Sequence, residues 1–179
     1  MIYVTKYQSP LGELTLASTG DGLIGLWIAG QKYFFSRLEQ EEIIYEENES
    51  LREAAAWLDD YFANKRPEIS ALRLAPRGSD FAQRVWLLLR EIPYGETITY
   101  GELAQKIAKL MGKKKMSAQA VGGAVGHNPL SIIVPCHRVV GANGSLTGYA
   151  GGIHLKVKLL EHEGVDMSKF FIPKRGTAL

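Results

Sequence analysis

Along the first thirty residues apolar and polar positions alternate and are cut by turn chemistry, which predicts a three-strand meander. Strands are expected over 2–7, 13–18 and 23–28, separated by Ser9-Pro10-Leu11-Gly12 and by Asp21-Gly22. The acidic stretch 39–49 has no clear period and reads as loop or sheet edge. The period then becomes helical. Leu51, Ala54, Ala55, Leu58 and Phe62 predict an amphipathic helix over 50–64. Pro67, Pro76 and Gly78 mark 65–78 as a connection between two domains, 1–78 and 79–179. A second helix starts from Ser79 or Asp80 as cap, buries Phe81, Val85, Trp86, Leu88 and Leu89, and stops before Pro93-Tyr94-Gly95. Trp86 belongs to that apolar stripe, so it reads as core rather than as a base-stacking surface.

Thr99 followed three residues later by Glu102 is a capping-box pattern, and Leu103, Ala104, Ile107 and Leu110 continue it as a helix. Ser117 caps a further helix through Val125, which Gly126-His127-Asn128-Pro129 ends. The pair reads as helix, basic turn (Lys113, Lys114, Lys115), helix. Its second member carries Ala118, Ala120, Gly122, Gly123 and Ala124. Each glycine costs about 1 kcal/mol of helix propensity, so the small side chains imply close approach of another surface, either a neighbouring helix or a nucleic-acid groove. The turn exceeds that of a standard helix-turn-helix, and alone the pair is a modest signal. A glycine-rich loop, 144–152, encloses Tyr149, and a last helix is expected over 153–162 with Leu155, Leu159 and Leu160 apolar, Gly164 as its stop and Glu163 at its end.

Composition narrows the class. The chain of 179 residues is 46% hydrophobic, ample for a core, and has one cysteine, so an internal disulfide and a multi-cysteine zinc site are excluded. A reduced thiol, no signal pattern and no membrane-length apolar run point to a cytoplasmic protein without membrane partners. The net charge of +2 is split: residues 1–79 hold 8 Lys and Arg against 12 Asp and Glu, net −4, and residues 80–179 hold 13 against 7, net +6. A basic second half suits a polyanion, and ordinary scatter explains it equally well.

The chemistry concentrates at Cys136, within Ile132-Ile133-Val134-Pro135-Cys136-His137-Arg138-Val139-Val140. A lone cysteine among Ile and Val is as a rule a small buried hydrophobe. Against that, Pro135 breaks the strand where the thiol appears, and His137 and Arg138 are polar where a core strand wants none. The residues therefore place Cys136 on a turn at the mouth of a cleft. A thiol attacks as thiolate, and an imidazole is the usual means of ionising it. Taken by themselves, His137 reads as a satisfied core histidine and Glu163 as a solvated residue at a helix end.

Pro135-Cys136-His137-Arg138-Val139 resembles the active-site signature of the O6-alkylguanine-DNA alkyltransferases, the methylated-DNA–protein-cysteine methyltransferases. Ile92-Pro93-Tyr94-Gly95-Glu96-Thr97, Ala120-Val121-Gly122-Gly123-Ala124, Asn128-Pro129, Tyr149-Ala150-Gly151-Gly152 and His162-Glu163-Gly164 follow in the family's order, and the match spans about residues 79 to 165. Ser9-Pro10-Leu11-Gly12 suits the family's N-terminal domain more loosely. The resemblance implies an α+β fold: an N-terminal ribonuclease-H-like antiparallel sheet with a helix, then a helical domain with a winged-helix-like helix-turn-helix. It implies direct reversal of DNA damage. The alkyl group, mainly methyl, moves irreversibly and once per molecule from O6 of guanine, less efficiently from O4 of thymine, to the cysteine sulfur. The partner would be double-stranded DNA carrying O6-alkylguanine, met by a monomer without cofactor or metal.

The resemblance also assigns roles. Cys136 is the nucleophile. Glu163 takes a proton of His137 in a hydrogen bond and makes the other ring nitrogen the better base, which reaches the sulfur through a water. Tyr100 donates its phenol proton to ring N3 of the leaving purine, and Asn128 braces the turn. Tyr149, Ala150 and Gly151 wall the guanine pocket, and the backbone of Cys136 and Val139 reads the base edge. The helix 117–125 enters the minor groove through Ser117, Gln119, Ala120, Gly122 and Gly123. Arg138 organises the turn or contacts DNA, and the target nucleotide is flipped out. Lys113 to Lys115 sit near phosphate, with a solvated loop as the default.

Gln119 stands where the family commonly has the arginine that fills the gap left by the flipped base. No cysteine precedes Cys136, so the zinc site of some relatives is not expected. Two other classes compete: a lesion-binding protein without chemistry, against which Cys136 argues, and a cysteine hydrolase built on Cys136, His137 and Glu163, which leaves the basic helix pair without a purpose.

Overall fold

The computed structural model describes residues 1–35, 38 and 40–174. The chain divides into two compact units. The first is Met1–Arg77 together with Pro129–Ile133, and the second is Gly78–Asn128 together with the chain from Val134 onward.

In the first unit, β1 (Ile2–Ser9), β2 (Gly12–Thr19) and β3 (Gly22–Ile28) form the expected antiparallel meander, in register Thr5 to Leu16 and Leu16 to Leu26. A fourth strand extends it. β4 (Ile43–Ile44) pairs with β1 in parallel, giving the order β3-β2-β1-β4. It falls in the stretch read as loop or edge, whose first residue, Glu39, lies outside the described residues. The helix α1 (Glu49–Phe62) begins one residue before its expected start, because the Asn48 side chain accepts from the Leu51 N–H and caps it. Ile2, Val4, Ala17, Ile24, Trp27 and Leu38 make one buried cluster. Gly25 is required there: a Cβ would stand 2.0 Å from the Trp27 ring.

Pro129–Ile133 was expected with the C-terminal domain and belongs to the first unit. Its backbone continues the edge of β3: Leu26 N–H donates to the Pro129 carbonyl at 2.8 Å, and Ser131 N–H to the Leu26 carbonyl at 3.2 Å. Backbone pairing at an open strand edge, which sequence periodicity does not encode, is the cause.

The second unit is helical. α2 (Asp80–Leu89) is capped by Ser79, α3 (Tyr100–Leu110) by Thr99 and α4 (Ala118–Gly126) by Ser117, each through the side-chain oxygen and the N–H three residues on. β5 (Ile98–Thr99) and β6 (Val139–Val140) form a short parallel pair, and α5 (Ile153–His162) closes the series. Trp86 is core as expected, 4% exposed, with its indole N–H on the Ala124 carbonyl at 2.9 Å. Among the described residues no helix is long and apolar enough to cross a membrane.

Candidate active site

The residues before the thiol are not a strand. The Ile133 N–H donates to the Ser131 carbonyl at 2.8 Å across Ile132, whose φ is 72°, and the Cys136 N–H donates to the Val134 carbonyl at 2.8 Å across Pro135, at φ −80° and ψ 65°. These are two three-residue turns. The second has the favourable inverse geometry, whereas the first holds a β-branched residue at positive φ, which costs of order 1–3 kcal/mol. A 3-10 turn, Cys136–Arg138, follows directly and leads into β6. Pro135 thus ends the apolar run as expected. Cys136, however, is only 6% exposed, not at the mouth of a cleft.

The turn brings four polar groups together. His137 is fully buried, and its Nε2 lies 2.7 Å from Glu163 Oε2. Arg138 donates from Nε to Glu163 Oε1 at 2.7 Å, from Nη2 to Oε2 at 3.0 Å, and from Nη1 to the Ile92 carbonyl at 2.6 Å. Its guanidinium is 5.7 Å from the Tyr94 ring. Of the two roles expected for Arg138, organising the turn is the one its geometry serves. It is 6% exposed, and Nε, Nη1 and Nη2 are each bonded inside the protein. Asn128 Nδ2 donates to the Val134 carbonyl at 2.8 Å, tying the end of α4 to the turn.

Charge and burial set the protonation states. Burial works to raise the Glu163 carboxyl, but the hydrogen bonds from His137 and Arg138 and the charge of Arg138 overcome it and hold the group far below the usual carboxylate range. Burial lowers the His137 imidazole, only partly offset by Glu163, so the ring is neutral. With an ionised carboxylate on Nε2, the ring proton sits there and Nδ1 keeps its lone pair. Nδ1 is buried with no hydrogen-bond partner among the described protein atoms. Burial raises the Cys136 thiol, against the Asn128 hydrogen bond and the charge of Lys156, so the resting group is a thiol whose proton must be taken.

Both Glu163 and His137 have depressed folded-state values, so both stabilise the protein most above their ordinary pKa values of 4.5 and 6.5. On acidification the unfolded chain takes up protons that these groups refuse. Tm is therefore expected to fall as pH drops below 6.5, and to fall further below 4.5. Calorimetry from pH 8 to 4 checks this, and a flat profile would contradict the buried neutral histidine.

The loop ahead of α5 covers the turn. The Tyr100 hydroxyl donates to the Thr147 carbonyl at 3.1 Å and lies 3.4 Å from that of Gly148. Burial, then the charge of Cys136, keeps this phenol protonated. Gly148 has φ +78°, and a Cβ there would stand 2.7 Å from the phenol oxygen, so the close approach needs glycine. Tyr149 is 6% exposed and its ring stands edge-on to His137 at 6.5 Å, while Ala150 and Gly151 are half-buried beside it. The polar backbone groups of Val139 are engaged: its N–H on the Cys136 carbonyl and its C=O on Lys156 Nζ. On α4, Val121, Ala124 and Val125 face inward, whereas Ser117, Gln119, Ala120 and Gly123 are exposed and Gly122 half so.

Lys156 is the residue that sequence reasoning missed. It is 0% exposed, and its Nζ donates to the carbonyls of Val139 at 2.5 Å and Thr147 at 2.8 Å. The signal was present: Lys156 lies three residues after Ile153 and four before Leu160, both buried, so it occupies the apolar stripe of α5.

A thiol followed in the chain by a carboxylate-held imidazole, in the same unit as a helix pair with a small-residue face, fits a protein that does nucleophilic cysteine chemistry next to a helical docking surface. Comparison with known proteins makes the class specific. The family models described as 6-O-methylguanine DNA methyltransferase, ribonuclease-like domain, and 6-O-methylguanine DNA methyltransferase, DNA binding domain, match residues 2–76 and 80–165. A methylated-DNA–protein-cysteine methyltransferase of Methanosarcina acetivorans is 44% identical over 164 residues, 91% of this chain and 99% of that one. One of Mycobacterium bovis is 46% identical over 163 residues, 91% of this chain and 93% of that one. The crystal structure of Mycobacterium tuberculosis OGT in complex with DNA superposes with a TM-score of 0.79 at 45% identity, covering 94% of each chain. The chain belongs to the 6-O-methylguanine DNA methyltransferase family.

Proposed function

We propose that this protein repairs DNA by direct reversal, taking the methyl group of O6-methylguanine onto Cys136 in a single, irreversible turnover. The observation that carries the reading is the relay at the nucleophile turn. Glu163 holds the ring proton on His137 Nε2 and leaves the Nδ1 lone pair, buried and without a partner among the described residues, to take the thiol proton directly or through one water. The thiolate then attacks the methyl carbon. A carbon–sulfur bond forms, the carbon–oxygen bond breaks, and the electron pair leaves with the purine. Tyr100, kept protonated by burial, supplies a donor for ring N3 of that leaving group once its hydroxyl exchanges the Thr147 carbonyl for the base. Because the thioether is stable and no second nucleophile restores the thiol, each molecule acts once.

The sulfur is buried, so a base inside a duplex is out of its reach, and the reading requires the nucleotide to be flipped out. The exposed face of α4 supports entry into the minor groove, since Gly123 has open space where a side chain would stand. Gln119, exposed at the start of that face, is the residue to fill the vacated stack. Gln119→Arg is expected to tighten binding to damaged duplex and steepen its salt dependence by about one counterion. Titrations at two or more salt concentrations read this, and unchanged affinity, slope and repair rate would remove Gln119 from the wedge role. Transfer from O4-alkylthymine belongs to the same reading at lower efficiency.

Intact-protein mass spectrometry after incubation with an O6-methylguanine duplex tests the function. A gain of one methyl group, at most one per molecule, is expected on the peptide containing Cys136. No gain with retained affinity for the lesion would favour the binding protein without chemistry, and repeated product release without protein modification would favour the hydrolase.

A further inference from the structure

Beyond residue 165, where the family match ends, the chain turns back onto the loop that covers the nucleophile turn. The Asp166 side chain accepts from the Ser168 N–H and starts a 3-10 turn, Met167–Lys169. Phe171 then pairs in parallel with Ser145. Its N–H donates to the Gly144 carbonyl at 3.0 Å, and its carbonyl accepts the Leu146 N–H at 2.9 Å. Gly144 has φ +89°, and a side chain there would run into the Lys169 carbonyl, so the close approach needs glycine. Met167 and Phe170 pack against the buried cluster of Val140, Leu146, Ile153 and Leu160. Backbone pairing and apolar packing, two independent kinds of contact, therefore converge on Leu146.

The next residue along the loop is Thr147, whose carbonyl takes the Tyr100 hydroxyl at 3.1 Å and Lys156 Nζ at 2.8 Å. Tyr149 and Ala150 follow it. In the proposed function Tyr100 turns its hydroxyl from Thr147 to the leaving purine. The loop then loses one of its holds at the moment when Tyr149 and Ala150 must wall the base. We propose that the segment 166–171 is a positioning element of the transfer: fastened to residues 144–146 by the Phe171 backbone and the Phe170 ring, it keeps the pocket wall in place while Tyr100 serves the base. This rests on the roles of Cys136, Tyr100 and Tyr149 in the proposed function and adds a new part to that site. A wall held before the base arrives needs no ordering in the transition state, and a misplacement of about 1 Å costs about 10²-fold in rate.

Phe171→Pro removes the N–H that reaches Gly144, at a position whose side chain is 47% exposed, and Phe171→Ala at the same position keeps it. Phe170→Ala deletes the packing ring, and Phe170→Leu restores an apolar side chain there. Relative to Phe171→Ala, the Pro variant is expected to slow single-turnover methyl transfer from a saturating O6-methylguanine duplex by about tenfold or more. Phe170→Ala should be slowed in the same direction and Phe170→Leu should recover most of the rate. Affinity for undamaged duplex should hold in all four. Amide hydrogen exchange, which needs no DNA, should show protection of Leu146 lost in Phe171→Pro and Phe170→Ala while that of α4 stays. Equal rates in the Pro and Ala variants at 171, or a Leu146 amide as protected as in the wild-type protein, would overturn the proposal. A loss of affinity for undamaged duplex as large as the loss in rate would overturn it too, since the segment would then act at the DNA surface. Should Phe171→Pro not fold, the pair at Phe170 decides by the same readings. A wild-type protein that takes no methyl group sinks the proposed function, and the exchange experiment still decides whether the segment fastens the loop.

Discussion

Cys136→Ser is expected to take up no methyl group from an O6-methylguanine duplex under conditions that convert the wild-type protein completely. The reason is ionisation. His137 is a neutral base held by Glu163, suited to removing a proton from a thiol with an ordinary pKa of 9.0, even one that burial has raised. A serine hydroxyl lies far beyond that base, and its oxygen is a poorer nucleophile toward an alkyl carbon than sulfur. The chain offers no second cysteine as substitute. The variant should fold, since a hydroxyl at this position has the Asn128 side chain beside it as a partner. Mass spectrometry reads the methyl, and a binding assay shows that the lesion is still recognised. A methylated serine variant would move the acceptor role away from Cys136.

Glu163→Gln carries the other large effect, on stability and rate together. One carboxylate serves His137 Nε2 and both Arg138 Nε and Nη2, all within 3.0 Å. Glutamine removes the charge and turns one acceptor into a donor facing a cation. Arg138 is then a buried guanidinium without a counter-ion, which costs about 3–5 kcal/mol, or a fall in Tm of roughly 10 °C for a chain of this size. His137 loses the hydrogen bond that fixes its ring proton on Nε2, and single-turnover methyl transfer should slow by about 10²- to 10⁴-fold. Differential scanning calorimetry and rapid-quench kinetics separate the two effects. A variant with native Tm and rate would mean that the carboxylate is structural decoration and the relay is not used.

Helix positions were largely legible from the residues, because helix caps and apolar stripes are local. Ser79, Thr99 and Ser117 were candidate caps and each bonds the N–H three residues on. Trp86 was correctly core. The run into Cys136 was misread in one respect: Ile132, Ile133 and Val134 have strand propensity, yet they lie in turns. Ile132 at φ 72° is a conformation its own side chain disfavours, and the hydrogen bonds of Pro129 and Ser131 to Leu26 fix its neighbours from a distance in sequence. The polar residues of the site divide the same way. His137 and Glu163 were named, but by resemblance to a family, since a lone histidine and a helix-end glutamate carry no local mark of function. Arg138 was given two roles, and only the tertiary structure shows its donors turned inward. Lys156 was not singled out, although it lies on the apolar stripe of α5 with Ile153 and Leu160.

What the sequence by itself determined is the local and the chemical. It set where helices start, which stripes are apolar, that one thiol exists, and that a proline halts the chain beside it. These follow from dihedral preferences, period and the inventory of reactive groups, none of which needs a partner remote in sequence. Only the tertiary structure decided which groups share charge. Glu163 meets His137 across 26 residues, Lys156 meets Val139 across 17, and a five-residue strap joins the first unit while its flanks belong to the second. Proton position and thiol ionisation depend on burial and on charges a few ångströms away. Those are properties of the packed protein, and the order of residues along the chain does not carry them.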